Sequence, residues 1–271
     1  MISSRTLIRW AVGGAIVLLL GAVAVSLLVR GRGDDGTLER VQATGELRVG
    51  LDASFPPFES LDGGGNVVGF DPDLAQAIAT RLDVQPVFVN VGFDGLYDAL
   101  WAGQVDVLIS GLPYDPRRTQ DVNYSQPYFN AGQVLVMVVG DPALMSSSGM
   151  EASELLSGRV VAVEWGSLAD MEARRLKQTA QAMQTLPQPT AQDALHALVA
   201  GQADAAIADA VSVYQFIGQG ESELQIVATL TDEPYVIATR IKSRRLAETI
   251  DQALTELQKS GKLDELLERW F

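Results

Sequence analysis

The chain has 271 residues, 47% of them hydrophobic, which is enough for a packed core in one or two domains. It contains no cysteine and one histidine, so disulfides, thiolate catalysis and cysteine-ligated metals are excluded and histidine-based sites are disfavoured. The formal net charge is −14, and because residues 1–32 hold four arginines and no acid, the rest of the chain is strongly acidic. Such a surface repels phosphate backbones, so we expect no nucleic-acid partner, and no motif indicates a metal or another cofactor.

An uncharged apolar segment of 20 residues runs from Trp10 to Val29, with arginines on both sides. A helix of this length can span the hydrocarbon core of a membrane. Two interpretations stay open for residues 1–32. One is a signal peptide with Ala22-Val23-Ala24 as its cleavage site, and the other is an uncleaved transmembrane anchor, which the length and the following Arg30 favour. Either one implies an extracytoplasmic location for the acidic remainder, in the periplasm or on the outer face of the cytoplasmic membrane.

The next predicted elements alternate between strands and helices. They are a linker and short helix over residues 33–45 with Thr37 as N-cap, a strand from Leu47 to Leu51, a helix with Asp71 as N-cap, a strand from Pro86 to Val91, and a helix capped by Asp94. The start at Asp71 carries the most signals, because proline follows at the first helical position and a second acid lies in the first turn.

One unit of sequence occurs twice. The segment Ala99–Asp106 (ALWAGQVD) corresponds to Ala197–Asp204 (ALVAGQAD). Each copy is typical of a helix end, a glycine that terminates the helix, and the start of a buried strand. Beyond the two strands, Gly111 falls opposite Asp209. Because ligands of α/β folds bind where strands end, the duplication predicts two similar lobes that face each other across a cleft.

Two apolar stretches, Gln133–Val139 and Leu224–Leu230, are predicted to cross between the lobes. We therefore place the first lobe at residues 46–133 and 230–271, and the second lobe at residues 134–229. The chain would leave the first lobe, build the second, and return to complete the first.

Several phrases of the sequence point together to one protein family. They are LRVGLDASFPPFE, GFDPDLAQAIA, FDGLYDALWAGQVDVLISG, the PRR that ends at Arg118, YSQPY, TDEPY and the final ERWF. In this order, from Leu47 to Phe271, they make the chain similar to the extracytoplasmic solute-binding proteins of polar amino-acid ABC transporters. The resemblance implies a type II periplasmic-binding-protein fold, in which two lobes, each a mixed sheet flanked by helices, are joined by two crossover strands. An apolar helix would precede them at the N-terminus.

The resemblance implies a non-enzymatic function, the binding of an amino acid between two closing lobes for delivery to an ABC transporter permease. A monomer is expected. Two alternatives stay open. One is a cyclohexadienyl or arogenate dehydratase-like enzyme on the same fold, for which Glu164 is the attractive acid or base. The other is an orphan sensory binding module.

The resemblance also implies the charged contacts of the ligand. Arg118 matches the family's carboxylate-binding arginine, and the planar fork of an arginine suits a carboxylate. Asp209 matches the ammonium-binding acid. The alternative for Arg118 is a solvated loop residue; for Asp209 it is the N-cap of a helix from Ala210, a role that is compatible with ligand binding. Trp101 is predicted to pack rather than to bind.

The remaining implied contacts are aromatic walls and backbone groups. Phe55 and Phe93 match the walls of the cleft, with ordinary core packing as the alternative. Backbone groups of Ser110 and Gly111, together with the hydroxyl and N–H of Ser167, would complete the polar contacts.

Asp52 and Glu164 occupy positions that face the ligand's side chain in the family. Acids at both positions suit a cationic side chain such as arginine or lysine; the alternative is that one of them pairs with an internal arginine or caps a turn. Two residues depart from the family pattern. Pro113 replaces the usual Thr or Ser and offers neither a hydroxyl nor an N–H, and Leu168 replaces another common hydroxyl. Both changes weaken the grip on an α-amino acid.

Overall fold

The computed structural model describes residues 33–142, 150–220 and 224–271. The apolar segment over residues 10–29, predicted to be a signal peptide or an anchor, lies outside these ranges. Within the ranges, no helix combines the length and the apolar composition that crossing a membrane requires. The described residues confirm the predicted α/β class, because they form mixed sheets that helices flank.

The first sheet contains β1 (Glu46–Leu51), β5 (Gln85–Asn90), β6 (Val107–Leu108), β7 (Val122–Tyr124) and β15 (Ala238–Arg240). Their spatial order is β5-β1-β6-β15-β7. β1 is parallel to β5 and β6, whereas β15 is antiparallel to β6 and β7. A small antiparallel meander of β2 (Ser54–Phe55), β3 (Glu59–Leu61) and β4 (Val67–Val68) lies between β1 and the helix Phe70–Arg81 in chain order.

The second sheet contains β9 (Gln133–Val138), β10 (Val160–Glu164), β11 (Gln184–Gln188), β12 (Ala205–Asp209) and β13 (Leu224–Thr229). Its order, β11-β10-β12-β9-β13, repeats the arrangement of the first sheet. Here β10 is parallel to β11 and β12, and β9 is antiparallel to β12 and β13. Each sheet therefore places the strand from the duplicated unit beside an antiparallel neighbour.

Helices cover both sheets. They are α1 (Thr37–Thr44), α2 (Phe70–Arg81), α3 (Leu96–Trp101), α4 (Ala152–Leu155), α5 (Leu168–Leu176), α6 (Ala191–Val199), α7 (Ala210–Gly218), α8 (Arg244–Lys259) and α9 (Lys262–Trp270). A short 3₁₀ turn at Phe93–Gly95 precedes α3, and another at Pro116–Arg118 follows β6.

Three predicted helix caps are not formed. Thr37 is the first residue of α1, and its hydroxyl donates to Asp35 at 2.6 Å instead of capping. Asp94 lies inside the 3₁₀ turn before α3. Asp71 lies within the first turn of α2, which starts one residue earlier after Gly69. Its carboxylate points into the core, where it accepts hydrogen bonds from the N–H of Gly111 and the hydroxyl of Tyr128 instead of from the helix N-terminus.

The two copies of the duplicated unit have the same backbone conformation at their glycines and the same hydrogen bonds. Gly103 and Gly201 end the preceding helices with φ of 71° and 69°. The N–H of Asp106 donates to the carbonyl of Arg48 at 2.8 Å, and the N–H of Asp204 donates to the carbonyl of Val160 at 2.8 Å. Each aspartate carboxylate accepts the N–H of that same residue in return. The sequence repeat therefore corresponds to a repeated strand-to-strand junction.

The chain passes between the two sheets at β8 (Phe129–Asn130) and β14 (Pro234–Tyr235), which pair antiparallel. Two crossover segments are thus present, but they lie outside the stretches predicted to cross. Those stretches, Gln133–Val139 and Leu224–Leu230, form β9 and β13 within the second sheet. β9 is apolar along most of its length because it is buried in the middle of that sheet.

The last residue of the chain packs against the crossover pair. The ring of Phe271 lies 5.4 Å from that of Phe129 and 5.2 Å from that of Phe58, which is fully buried. Gly218 of α7 approaches so closely that an added Cβ would collide with the carbonyl of Phe271. Aromatic packing therefore connects the C-terminus to both sheets at the crossover.

Asp106 is a buried charge that three arginines surround. The side chain of Arg48 donates to it at 2.7 and 3.1 Å, Arg40 also pairs with it, and Arg240 lies 4.0 Å away. Burial opposes ionisation of this carboxyl, but the hydrogen bonds from Arg48 and Arg40 outweigh burial and hold its pKa below the usual value. The charge therefore connects α1, β1, β6 and β15.

A second buried group, the carboxyl pair of Glu59 and Asp71, lies beneath the end of β6. The two residues are 1% and 0% exposed. Asp71 accepts the N–H of Gly111 at 2.5 Å and the hydroxyl of Tyr128 at 3.0 Å, while the hydroxyl of Ser110 donates to Glu59 at 2.6 Å. The pair therefore holds Ser110 and Gly111, just beyond the end of β6.

Burial raises the pKa of Glu59 to about 10, and the neighbouring negative charge of Asp71 adds to the effect. Burial also raises the pKa of Asp71, but the N–H of Gly111 opposes that rise by hydrogen bonding to the charged form. At neutral pH the pair therefore holds one proton, on Glu59, which donates to Asp71. One negative charge remains, on the residue that binds Gly111.

We predict that Asp106→Ala lowers the free energy of unfolding by about 3–5 kcal/mol, because it leaves arginines without their buried counter-charge. Asp204→Ala is the matched control, since Asp204 occupies the same place in the second copy but is exposed. We expect the control to lose about 1 kcal/mol, the value of one hydrogen bond. Urea denaturation monitored by circular dichroism measures both, and equal losses would contradict the role given to the Asp106 cluster.

We predict that Glu59→Gln flattens the pH dependence of stability between about pH 7 and 9. A carboxyl with a raised pKa in the folded state takes up a proton on folding, so its contribution falls as pH rises towards the folded pKa. For one proton the fall is about 1.4 kcal/mol per pH unit. Glutamine keeps a donor for Asp71 and an acceptor for Ser110 but does not titrate. Urea denaturation at several pH values that gives the same slope in both proteins would contradict a protonated Glu59.

Candidate functional site

Two cavities open where the strands of the duplicated unit end. The Arg118 cavity, 480 Å³ in volume, is lined by Phe93, Tyr97, Leu112, Pro113, Tyr114, Asp115, Pro116, Arg117 and Arg118. The Asp209 cavity, 340 Å³ in volume, is lined by Phe55, Ala131, Gln133, Glu164, Ser167, Leu168, Ala169, Ala191, Ala208, Asp209, Val211, Glu233 and Tyr235. Six of the nine predicted site residues line these spaces, Phe93 and Arg118 in the first and Phe55, Glu164, Ser167 and Asp209 in the second, whereas Asp52, Ser110 and Gly111 line neither. The first space holds Arg117 and Arg118 with Asp115, and the second holds acids without a basic residue in its lining among the described residues.

Arg118 lies in the 3₁₀ turn that follows β6, with 38% of its side chain exposed. Its Cζ is 4.1 Å from the ring centroid of Tyr97 and 5.7 Å from that of Trp101, so the guanidinium is stacked on aromatic rings. Asp115 approaches its Nε at 3.7 Å. Trp101, which was predicted to pack, is 44% exposed and lies beside the Tyr97 ring and the guanidinium of Arg118.

Asp209 ends β12 and is the N-cap of α7. One carboxylate oxygen accepts the N–H of Ser212 at 2.8 Å and the other accepts its hydroxyl at 2.7 Å. The predicted capping role is therefore present. An ionised carboxylate has about four acceptor positions, so two bonds leave room for a ligand in the cavity that Asp209 lines.

Ser167 is the N-cap of α5, at the opposite wall of the same cavity. Its hydroxyl donates to the carbonyl of Glu164 at 2.8 Å and accepts the N–H of Asp170 at 3.3 Å. Leu168, which follows it, is 60% exposed and lines the cavity. The wall at this point is therefore apolar where the family pattern supplies a hydroxyl.

Asp52, predicted to face the ligand's side chain, is held by hydrogen bonds to its neighbours. It lines neither cavity, and its oxygens accept the N–H of Phe93 at 2.8 Å and the hydroxyl of Ser54 at 2.7 Å. Its own N–H donates to the hydroxyl of Ser110 at 3.0 Å. Asp52 thus connects the buried carboxyl pair to Phe93, an exposed aromatic wall of the Arg118 cavity.

Gly111 has its N–H committed to Asp71, and its φ of 48° is in the region that favours glycine. A Cβ at this position would lie 2.9 Å from the ring of Phe55. Phe55 in turn stacks on Phe58 with centroids 5.3 Å apart and planes at 9°. Glycine is therefore required for the aromatic wall to approach the backbone at the strand end.

Pro113 lies in a short ladder with the returning crossover strand. It forms a bridge with Tyr235, and on either side the carbonyl of Leu112 accepts the N–H of Val236 and the N–H of Tyr114 donates to Pro234, both at 2.9 Å. Pro113, where the family pattern predicts Thr or Ser, therefore lies beside the returning crossover strand.

Several lining residues were not predicted, and four of them bear on the chemistry of the cavities. Glu233, Tyr235 and Gln133 line the Asp209 cavity, and Tyr97 lines the Arg118 cavity. Glu233 belongs to the TDEPY phrase, which was a signal for the family but not for a role. Tyr97 and Trp101 are four residues apart on one helix, a spacing that puts both on one face.

The Asp209 cavity is acidic. Glu164, Asp209 and Glu233 line it, and the lining contains no Lys, Arg or His among the described residues. Carboxylates that share a partly enclosed space repel one another, and a cation relieves that repulsion. The arrangement suits a positively charged group.

Residues 47–271 match the bacterial extracellular solute-binding proteins, family 3. The L-arginine-binding protein of Pseudomonas aeruginosa is 29% identical to this chain, over 93% of this chain and 95% of that protein. The L-cystine-binding protein TcyJ of Escherichia coli is 26% identical, over 93% of this chain and 94% of that protein.

Solved structures agree with these relatives. A mutant of ArgBP from T. maritima is 38% identical, with a TM-score of 0.51 over 86% of this chain and 98% of that one. An ancestral cationic amino acid solute-binding protein is 31% identical, with a TM-score of 0.59 over 87% and 99%. An ancestral cyclohexadienyl dehydratase is 23% identical with a TM-score of 0.72 over 86% and 95%, a likeness in fold. With its matching span, its two sheets and its paired cavities, the chain belongs to the family 3 extracellular solute-binding proteins.

Proposed function

We propose that the protein binds an amino acid with a cationic side chain between its two sheets and delivers it to an ABC permease. The observation that carries the proposal is the separation of charge, with Arg118 in one cavity and Glu164, Asp209 and Glu233 in the other. Such an amino acid carries one negative and two positive groups. Relatives named for arginine binding support the same ligand class.

Each charged group of the ligand has a counterpart in this proposal. Arg118 takes the α-carboxylate, since a guanidinium offers two parallel donors to it. Asp209 takes the α-ammonium with the acceptor positions that Ser212 leaves open. Glu164 and Glu233 take the cationic end of the side chain. Phe55 and Phe93 supply exposed aromatic walls for the ligand's apolar stem.

The sequence suggested that Asp52 selects the ligand's cationic side chain, but the proposal gives it another role. Its hydrogen bonds to Phe93 and Ser54 make it a support for the aromatic wall. Ser110 and Gly111 likewise act through the buried carboxyl pair, and Ser167 contributes through the N-terminus of α5.

Export belongs to the same proposal, because the matching family is described as extracellular. The apolar segment at residues 10–29 provides the export signal, and whether it remains as an anchor is tested by N-terminal sequencing of the mature protein. Binding rather than catalysis is proposed, since the likeness to a dehydratase concerns the fold and Glu164 already has a role as a cation partner.

We predict that the wild-type protein binds L-arginine at least about tenfold more tightly than L-citrulline, because a charged hydrogen bond contributes about 1.5–3 kcal/mol. Citrulline has nearly the same shape but a neutral end group. Glu233→Gln and Glu164→Gln should each weaken arginine binding and leave citrulline binding unchanged. Isothermal titration calorimetry measures all of these affinities.

Glu268→Gln is the matched control, because it makes the same change of charge at an exposed residue of α9. It should bind arginine as the wild type does. Equal affinity of the wild type for arginine and citrulline, or a loss of arginine affinity in the control as large as in Glu233→Gln, would contradict a cation subsite formed by these acids.

A further inference from the structure

The guanidinium of Arg118 is held by ring stacking, which leaves its edges available. Within the described part of the chain, none of its side-chain N–H groups has a hydrogen-bond acceptor, and Asp115 at 3.7 Å is an ion-pair partner only. The N–H donors of a guanidinium all lie in its plane. The Tyr97 ring, whose centroid lies 4.1 Å from Cζ, therefore holds the group through its π face without using a donor.

Tyr97 is itself fixed in place. Its hydroxyl lies 2.7 Å from the hydroxyl of Tyr124, whose ring packs edge-on against Tyr114 at 5.2 Å. Burial raises the pKa of Tyr97, and the bond to Tyr124 adds to the rise, so the phenol is neutral at physiological pH. A half-buried neutral ring anchored at its far end is a rigid support for a cation.

The duplicated unit provides an internal comparison. Tyr97 and Trp101 correspond to Leu195 and Val199 in the second copy. At the same two places on the equivalent helix, the second copy therefore has aliphatic residues, whereas the first copy has two rings that lie against the guanidinium of Arg118. Packing of this helix against the sheet therefore does not require aromatic rings. We attribute the two rings of the first copy to their contact with Arg118.

The need for a rigid arginine is increased by Pro113. That residue lines the same cavity and has neither an N–H nor a hydroxyl to offer a carboxylate. A ligand carboxylate in the Arg118 cavity then depends more heavily on the guanidinium. A mobile arginine loses side-chain entropy when it binds, whereas a pre-stacked one has lost much of it already.

We propose that Tyr97 is a positioning residue, which holds Arg118 edge-on to the carboxylate of the bound amino acid. Trp101 supports the same stack from one helical turn away. This inference rests on the proposed function, since it concerns how the cleft recognises the α-carboxylate.

The test compares L-arginine with agmatine, the amine that remains when the carboxylate is removed. Tyr97→Leu introduces the residue of the second copy, and Tyr97→Phe keeps the ring but loses the bond to Tyr124. Affinities of the wild type and both variants for both ligands are measured by isothermal titration calorimetry. We expect Tyr97→Leu to weaken arginine binding about tenfold and to leave agmatine binding unchanged. Tyr97→Phe should weaken arginine binding less, because the ring remains and only its anchor to Tyr124 is lost.

The outcomes separate the two proposals. Equal weakening of arginine and agmatine by Tyr97→Leu would show general damage to the cleft and overturn the positioning role while the proposed function stands. Arginine affinity lost equally in the Phe and Leu variants would assign the effect to the hydroxyl and also overturn it. A wild type that binds neither ligand would overturn the proposed function, and the positioning role with it. Agmatine binding by Tyr97→Leu reports that the variant is folded.

Discussion

The hydrogen bond from the N–H of Gly111 to the buried carboxylate of Asp71 sets the position of the strand end on which the candidate site depends. It connects the first turn of α2 to the end of β6, and the protonated Glu59 beside it holds Ser110 in the same way. Ser110 in turn accepts the N–H of Asp52, whose carboxylate holds Phe93. The buried carboxyl pair is thus connected by hydrogen bonds to Phe93, which lines the Arg118 cavity.

The free-energy cost of burying two carboxyl groups explains why Glu59 and Asp71 share one proton. A carboxylate inside a core is unfavourable unless hydrogen bonds compensate for lost water, and two such carboxylates side by side are worse. Sharing one proton removes the second charge. The remaining charge is on Asp71, which is in contact with Gly111 and Tyr128. Elsewhere the first sheet uses arginines for the same purpose, around Asp106.

Charge is distributed unevenly across the cleft. The guanidinium of Arg118 lies on a ring support at one strand end, and three carboxylates surround the cavity at the other. Asp209 is partly neutralised by its position at the start of α7, where the helix dipole favours a negative group. Glu164 and Glu233 are not N-cap residues of the helices at this cavity, whose caps are Ser167 and Asp209. A bound cation would therefore stabilise these two acids.

Local sequence signals predicted the elements that local interactions decide. The duplicated unit, its two glycines and the capping role of Asp209 were readable because the signal for each lies within a short stretch of sequence, although the caps predicted at Thr37 and Asp94 are not formed. The role of Asp71 was not, since the same residues that indicate an N-cap also fit a carboxylate that binds Gly111, 40 positions along the chain. Glu233 and Tyr97 escaped for the same reason, because their partners come together only when the chain returns through the crossover or folds back after β6.

The most direct measurement is a crystal structure of the protein with L-arginine bound. The proposed function places the ligand's carboxylate on Arg118, its ammonium on Asp209, and its guanidinium between Glu164 and Glu233. A ligand bound in the opposite direction, with its guanidinium in the Arg118 cavity, or one that contacts a single cavity, would contradict the claim that the two cavities are halves of one site.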